Sequence, residues 1–332
     1  MPILSPFWSA AVPLSGRLDL SGLVDVEHLE SASEETLIAG GVRPRHARLL
    51  RTGAPPMDVP HAVRLVDRHY PAALRRVPFA PPVLFMEGDP SILTAPLVAL
   101  VGARRCTGNG RRMTRRLAAA VATAGGVVVS GLAQGIDCEA HAAAGGRTVA
   151  VLGQGLSLPL PTHRARVRRG LLRSGGLVMS ELPPKHPASR STFPRRNRII
   201  AGVSKLTVVV EARERSGARI TARNALEAGR DVFAVPGHPL QETAAGCLAL
   251  LREGAGLVTE PRDILDALGL SIMAHASIAD PLLKVLGDGS TFEELLCASG
   301  LPAPALLQQL AEHELAGRIK RLPGDRYTNA TR

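Results

Sequence analysis

"LVALVGARRCTGNG" (residues 97–110) and "GVVVSGLAQGIDCEAHAAA" (residues 126–144) decide the fold. Each opens on an apolar run without polar alternation, reaches a glycine, and passes through small residues into a helical pattern. Runs of that kind are strands buried on both faces. A repeated strand, turn and helix predicts a parallel α/β sheet with right-handed crossovers. Working outward, further runs lie at "RTVAVLGQG" (147–155), "GLVMSE" (176–181), "KLTVVVEA" (205–212) and "DVFAVPG" (231–237), with "AGLVTE" (255–260) as a seventh. Most end in Gly, Ser or Glu, at the carboxyl edge where open α/β sheets bind ligands.

The flanks read differently. "VDVEHLESASEETLIAGGV" (24–42) and "HAVRLVDRHYPAALRRV" (61–77) carry apolar residues at helical spacing, which predicts a small helical module before the sheet. After a short connection over 268–280, the tail predicts three short helices, a strand, a tight turn at Pro323-Gly324 and a return strand: a winged-helix pattern. Ser290 or Thr291 caps the middle helix, with Glu293 or Glu294 completing a capping box. The recognition-helix candidate, 303–316, presents Gln308, Gln309, Glu312, His313 and Glu314 with no Arg or Lys. That is a poor reader of a major groove and suits a protein contact.

Charge narrows the function. Between Val101 and Lys205 stand eighteen Lys and Arg against Asp137, Glu139 and Glu181, a net +15, whereas all 332 residues sum to +11. A folded segment so positive implies a polyanionic partner. Aromatic residues make up 3% of the chain, so base stacking is limited to one or two rings. Cys106, Cys138, Cys247 and Cys297 are scattered, with no CxxC pair, which argues against a zinc knuckle or redox pair and fits a reducing cytoplasm. No metal or cofactor is expected. The first residues lack a signal-peptide pattern, and no long uncharged apolar stretch predicts membrane insertion.

Four motifs carry candidate chemistry. After the first run, Gly102 frees the backbone and Arg104 is placed to grip a phosphate bidentately, although an ordinary strand-to-helix turn uses the same residues. The pattern is not GxGxxG, so a dinucleotide is not indicated. In the second motif Ser130, Gly131 and Gly135 form a small-residue loop that lets a phosphate or nucleotide backbone approach. Asp137 and His141 there form either an acid–base pair or, in the preferred reading, a helix cap and a loop anchor. "STFPRRNRIIAG" (191–202) gathers Arg195, Arg196 and Arg198 around Asn197 and is the strongest phosphate-contact candidate; Phe193 packs against a base or sugar, or anchors the core. In "VVVEARERSGARITARNALEAGR" (208–230), Ser216, Gly217 and Thr221 suit an anion and Glu211 can orient an arginine. Arg164, Arg166, Arg168, Arg169 and Arg173 on the helix around "THRARVRRGLLRSGG" (162–176) widen the positive field or form a solvated face.

Taken in order, "VGARRCTGNG", "SGLAQGIDCEAHAAAGGRTVAVLGQGL", "SELPP", "FPRRNRIIAG", "VVVEARERSGARITARNALEAGRDVFAVPG" and "GCLALLREGA" resemble the bacterial DNA-processing protein A (DprA/Smf) family, densely over about residues 80–265. The resemblance implies an extended Rossmann-like domain over 79–268, between a helical, SAM-like N-terminal domain (1–78) and a C-terminal winged-helix-like domain (269–332). It implies single-stranded DNA binding, a homodimer formed through the Rossmann-like domain, and loading of the RecA recombinase onto incoming DNA in natural transformation, without enzymatic activity. By the same resemblance Arg104, Arg196 and Arg198 contact phosphates, with Arg195 in the variable place of the FPxRNR motif. Ser130 and Gly131 give local hydrogen bonds, and Gly135, Asp137, Phe193 and Asn197 complete the matched positions. The chain departs from the family pattern at Gln134, Leu160 and Leu248. The competing reading is a Rossmann-like enzyme hydrolysing a nucleotide or nucleoside monophosphate, with Glu181 and Glu211 as acid or base.

Overall fold

A computed structural model describes residues 3–23, 28–59, 61–270, 282, 286, 289–315 and 319–329. The chain divides into two compact units, Met1–Ser271 and Ile272–Arg332.

The first unit opens with β1 (Ile3–Leu4), α1 (Pro6–Ala11), α2 (Glu34–Ala39), α3 (Pro44–Thr52), β2 (Met57–Asp58), β3 (Ala62–Arg64) and α4 (Ala72–Arg75). Next come β4 (Val83–Gly88), β5 (Leu97–Val101), α5 (Gly108–Thr123), β6 (Val127–Ser130), α6 (Ile136–Ala144), β7 (Thr148–Val151), α7 (Thr162–Arg173) and β8 (Leu177–Ser180). It closes with α8 (Thr192–Val203), β9 (Leu206–Val209), α9 (Gly217–Glu227), β10 (Asp231–Ala234), α10 (Ala245–Arg252), β11 (Gly256–Leu257) and α11 (Pro261–Leu268).

Nine strands form one sheet in the order β11-β10-β9-β5-β6-β7-β8-β4-β3. The seven from β5 onward in sequence are the seven apolar runs, and they pair in parallel. Their period of two sorts the side chains onto two faces. Leu97, Ala99 and Val101 of β5 join a cluster with α8, α9, α10 and the N-terminal residues, while Val98 and Leu100 pack with α5, α6 and α11. The chain builds β5 to β8 outward in one direction, then returns to β5's other flank for β9. The reversal leaves a crevice at the carboxyl ends of β5 and β9.

Two features differ from expectation. The segment 61–77 reads as helical, but its first part is β3, which pairs antiparallel with β4, and only Ala72–Arg75 is helix. Pro71 interrupts the helical stretch, and β4, antiparallel to β8, offers the edge onto which β3 adds. Nor does residue 78 mark a division: Trp8, Leu18, Leu50 and Leu74 belong to the same apolar cluster as the sheet's lower face. The N-terminal helices are one compact unit with the Rossmann-like part.

The second unit has its own apolar centre around Leu295, Leu306, Leu310, Ile319 and Tyr327. Thr291 caps the helix Phe292–Ser299 in a capping box with Glu294. The helix Ala303–Leu315 follows, and β12 (Ser290–Thr291), β13 (Ile319–Leu322) and β14 (Arg326–Asn329) form a three-stranded antiparallel sheet. The expected connection over 268–280 and the first tail helix fall largely outside the described residues. Among the described residues no helix is long and apolar enough to cross a membrane.

Candidate functional site

The crevice at the switch point is a cleft of about 620 Å³. Gly102, Ala103, Arg104 and Arg105 after β5 form one wall, and Ala133 and Asp137 enter from the loop after β6. Arg190, Phe193, Pro194, Arg196 and Asn197 come from the start of α8, and Arg213, Ser216, Gly217 and Thr221 from the turn after β9. Eight of the thirteen residues singled out in the sequence therefore meet here: Arg104, Asp137, Phe193, Arg196, Asn197, Ser216, Gly217 and Thr221.

Arg104 is exposed, and its guanidinium carbon lies 5.7 Å from the centroid of the Phe193 ring. Stacking fixes the planar cation without consuming its hydrogen-bond donors. Arg105 and Arg190 are exposed beside it and form no ion pair among the described residues. Arg213 pairs with Glu242 at 3.0 Å, both largely exposed. Sequence reading missed Arg105, Arg190 and Arg213 as cleft residues; the available signal was their place just beyond a strand tip or just before α8.

Other arginines turn inward. Arg196 is 6% exposed; its Nη1 donates to the carbonyls of Val151 and of Gly131, the latter at 2.7 Å, and its Nε donates to Asn197 Oδ1 at 3.2 Å. Nη2 makes no hydrogen bond among the described residues, so one donor edge remains for the cleft. Burial lowers its pKa to about 10, partly opposed by the neighbouring Asp137 carboxylate, so the guanidinium stays charged at neutral pH. Asn197 donates to the Gly217 carbonyl at 3.2 Å, tying α8 to the start of α9.

Arg195 and Arg198 do not line the cleft. They close on Glu181, a carboxylate 2% exposed, at 3.0 and 2.6 Å, and Ser15 of the N-terminal segment donates to the same carboxylate. The geometry makes Arg198 a buried counter-ion, whereas the family resemblance gave it a phosphate. Burial also pulls its pKa below the usual arginine value.

The second motif builds the cleft floor. Ser130 is fully buried and donates to the Leu100 carbonyl at 2.6 Å, bonding β6 to β5 instead of a ligand. Gly131 has no room for a Cβ, which would meet the Arg196 guanidinium. Gly135 caps α6 with φ +83°, a left-handed conformation that a side chain would strain. Asp137 accepts from the Gly131 and Ala133 amides at 3.1 and 3.2 Å, and burial raises its pKa. Ser216 caps α9, and Thr221 Oγ1 donates to the Gly217 carbonyl at 3.3 Å.

His141 is a structural anchor. Thr148 Oγ1 donates to the Val128 carbonyl at 2.9 Å, which leaves its oxygen to accept from His141 Nδ1 at 2.7 Å. The ring is therefore neutral with its proton on Nδ1, and burial, reinforced by Arg196, lowers its pKa to about 3. Between about 3 and the unfolded value of 6.5 only the unfolded chain binds this proton. His141 thus adds stability that is complete above about pH 6.5 and lost as pH falls toward 3, whereas Asp137, with its raised pKa, acts in the opposite sense. Denaturant unfolding from pH 7 to 4 should show a shallower acid loss in His141→Gln than in the wild type; equal slopes would contradict this state of the ring.

The two carboxylates of the hydrolase reading are committed elsewhere. Glu181 is the buried counter-ion just described. Glu211 accepts from the Thr107 amide at 3.0 Å and from its hydroxyl, closing the first turn of α5. Neither lines the cleft. Among the described residues, no group of three or more His, Cys, Asp or Glu could hold a metal ion.

Fold and site together define a Rossmann-like α/β protein with an arginine-lined cleft at its topological switch point. The DNA recombination-mediator protein A family model matches residues 61–269 and the DprA winged helix domain model residues 271–325. The chain belongs to the DNA recombination-mediator protein A family. It is 40% identical over 284 residues to Protein Smf of Escherichia coli K12, covering 80% of this chain and 76% of that one. The X-ray structure of DNA processing protein A from Streptococcus pneumoniae superposes with a TM-score of 0.65 at 33% identity, covering 79% of this chain and 98% of that one. DNA processing protein A of Helicobacter pylori, described as having a unique single-stranded DNA binding mode, gives a TM-score of 0.56 at 28% identity, covering 60% and 92%.

Proposed function

We propose that this protein is a DNA-processing factor that binds single-stranded DNA in the switch-point cleft and loads the RecA recombinase onto it during natural transformation. One observation carries the reading: Arg104, Arg105 and Arg190 stand exposed in the cleft that holds the Phe193 ring, and among the described residues none of them is paired with a carboxylate. Guanidinia bind phosphates without reading sequence, and one ring accepts any base face. The Helicobacter pylori relative, described by its single-stranded DNA binding mode, supports the same ligand. Revised by the geometry, the contact set is Arg104, Arg105 and Arg190 at the lip, Phe193 beneath Arg104, and Arg196 Nη2, Ser216 and Gly217 deeper in the cleft. Gly131, Gly135, Asp137, Asn197 and Thr221 shape it, while Ser130, Arg195 and Arg198 support it from within.

The protein acts by binding, not by turnover, and two copies joined through the Rossmann-like unit present two clefts to one strand. Exposed Leu226 and Leu257 supply apolar surface for such a contact. In the second unit the helix Ala303–Leu315 suits a protein partner, since its exposed Gln308 and Glu314 offer no cation to DNA. Four free cysteines suit a reducing cytoplasm. RecA filament nucleation on a strand covered by single-strand-binding protein tests the loading step. The protein should shorten the nucleation lag in proportion to its concentration; an unchanged lag at saturating protein would remove the loader role while leaving the DNA cleft.

A further inference from the structure

We infer that the outer face of α7 is a second phosphate track, over which the single strand continues after leaving the cleft. The inference rests on the cleft binding single-stranded DNA. Arg166, Arg169 and Arg173 are exposed and recur at i, i+3 and i+7, so they form one stripe along the helix. None of the three makes an ion pair among the described residues, and no acid occurs in the sequence between Glu139 and Glu181. Like charges three and four residues apart weaken a helix. An uncompensated stripe is thus an electrostatic liability that a polyanion would relieve. On α5, by contrast, Arg115 is paired, with Glu139 at 2.7 Å.

The amino-terminal end of α7 also lies beside the cleft: Arg164, in its first turn and on the face opposite the stripe, donates from Nε to the Leu132 carbonyl at 2.6 Å, and the next residue, Ala133, lines the cleft. From Arg166 to Arg173 the helix advances about 10 Å, so the three guanidinia can meet neighbouring phosphates of one strand. Arg168 is spent on Glu87, on another side of the helix. The occupant is therefore the phosphodiester backbone of the bound strand, gripped without regard to sequence.

The test compares the wild type with Arg166→Gln/Arg169→Gln/Arg173→Gln on oligo-dT of about six nucleotides, enough for the cleft, and of about 24, enough for cleft and track. On the longer oligonucleotide the triple variant should bind about 10-fold or more weakly at low salt, with a log–log salt slope shallower by about 2, as loss of three phosphate contacts predicts. On the short one both proteins should bind alike. Equal loss on both lengths, or loss on neither, overturns the track. Arg104→Glu separates the two claims: it weakens both lengths if the cleft binds DNA, and if it weakens neither, the cleft reading fails. A wild type that binds neither length overturns both.

Discussion

Arg104→Glu should lower affinity for oligo-dT about 100-fold at low salt while leaving the fold intact. The side chain is exposed, and the contact the structure records for it is the ring of Phe193, so little of the packing depends on it. A charge-assisted bond to a phosphate is worth about 1.5–3 kcal/mol, and reversing the charge adds repulsion to that loss. The log–log salt slope should become shallower by about 0.7 for the phosphate no longer neutralised. Arg104→Lys keeps the charge but loses the fork, so it should fall between the two. Anisotropy titrations at two salt concentrations, with thermal unfolding as the control, decide the matter. A folded Arg104→Glu protein with wild-type affinity and slope would remove Arg104 from the interface.

Glu181→Ala should strongly destabilise the first unit. Its side chain is 1% exposed and holds two guanidinia, of which Arg198 is 15% exposed. Arg198 Nε and Nη1 are buried without partners, so Glu181 supplies the main compensation for that charge. Removing one member of a buried pair costs about 3–5 kcal/mol, which in a unit of this size lowers the unfolding midpoint by about 10 °C. The apolar pair Glu181→Leu/Arg198→Met should recover much of the loss, because the more deeply buried charge leaves with its counter-ion and Arg195 keeps 29% of its side chain exposed to water. A loss below about 1 kcal/mol would show the pair to be screened as a surface bridge is. Ser15 donates to the same carboxylate, so the loss should also loosen the N-terminal segment from α8.

The two variants probe arginines that look alike in the sequence and do opposite work. The parallel sheet was legible because Val-rich runs buried on both faces have a texture no surface element shares. The edge pair β3 and β4 was not: β3 lies inside a stretch of helical spacing, and its strand state comes from pairing with a chain segment some twenty residues on. In the site, the approach of the strand-tip loops to one cleft was readable from where the runs end. The direction of each arginine was not, since "FPRRNR" fixes density and leaves orientation to the packing of α8. One signal went unused. Asp137, Glu139 and Glu181 are the acids of the +15 segment, and each stands by an arginine: Glu139 pairs with Arg115, Glu181 with Arg195 and Arg198, and the charge of Asp137 bears on Arg196. The buried acids Asp137 and Glu181 mark the cations that have turned inward, whereas Glu139 meets Arg115 at the surface.

The most direct test of the cleft as a single-strand site is a titration of labelled oligo-dT and a matched-length duplex at low and moderate salt. Preferential binding of the single strand, weakening with salt at a slope of about −0.7 for each phosphate contacted, is the result the account predicts. Equal affinity for the duplex, or no binding by folded protein, would contradict it.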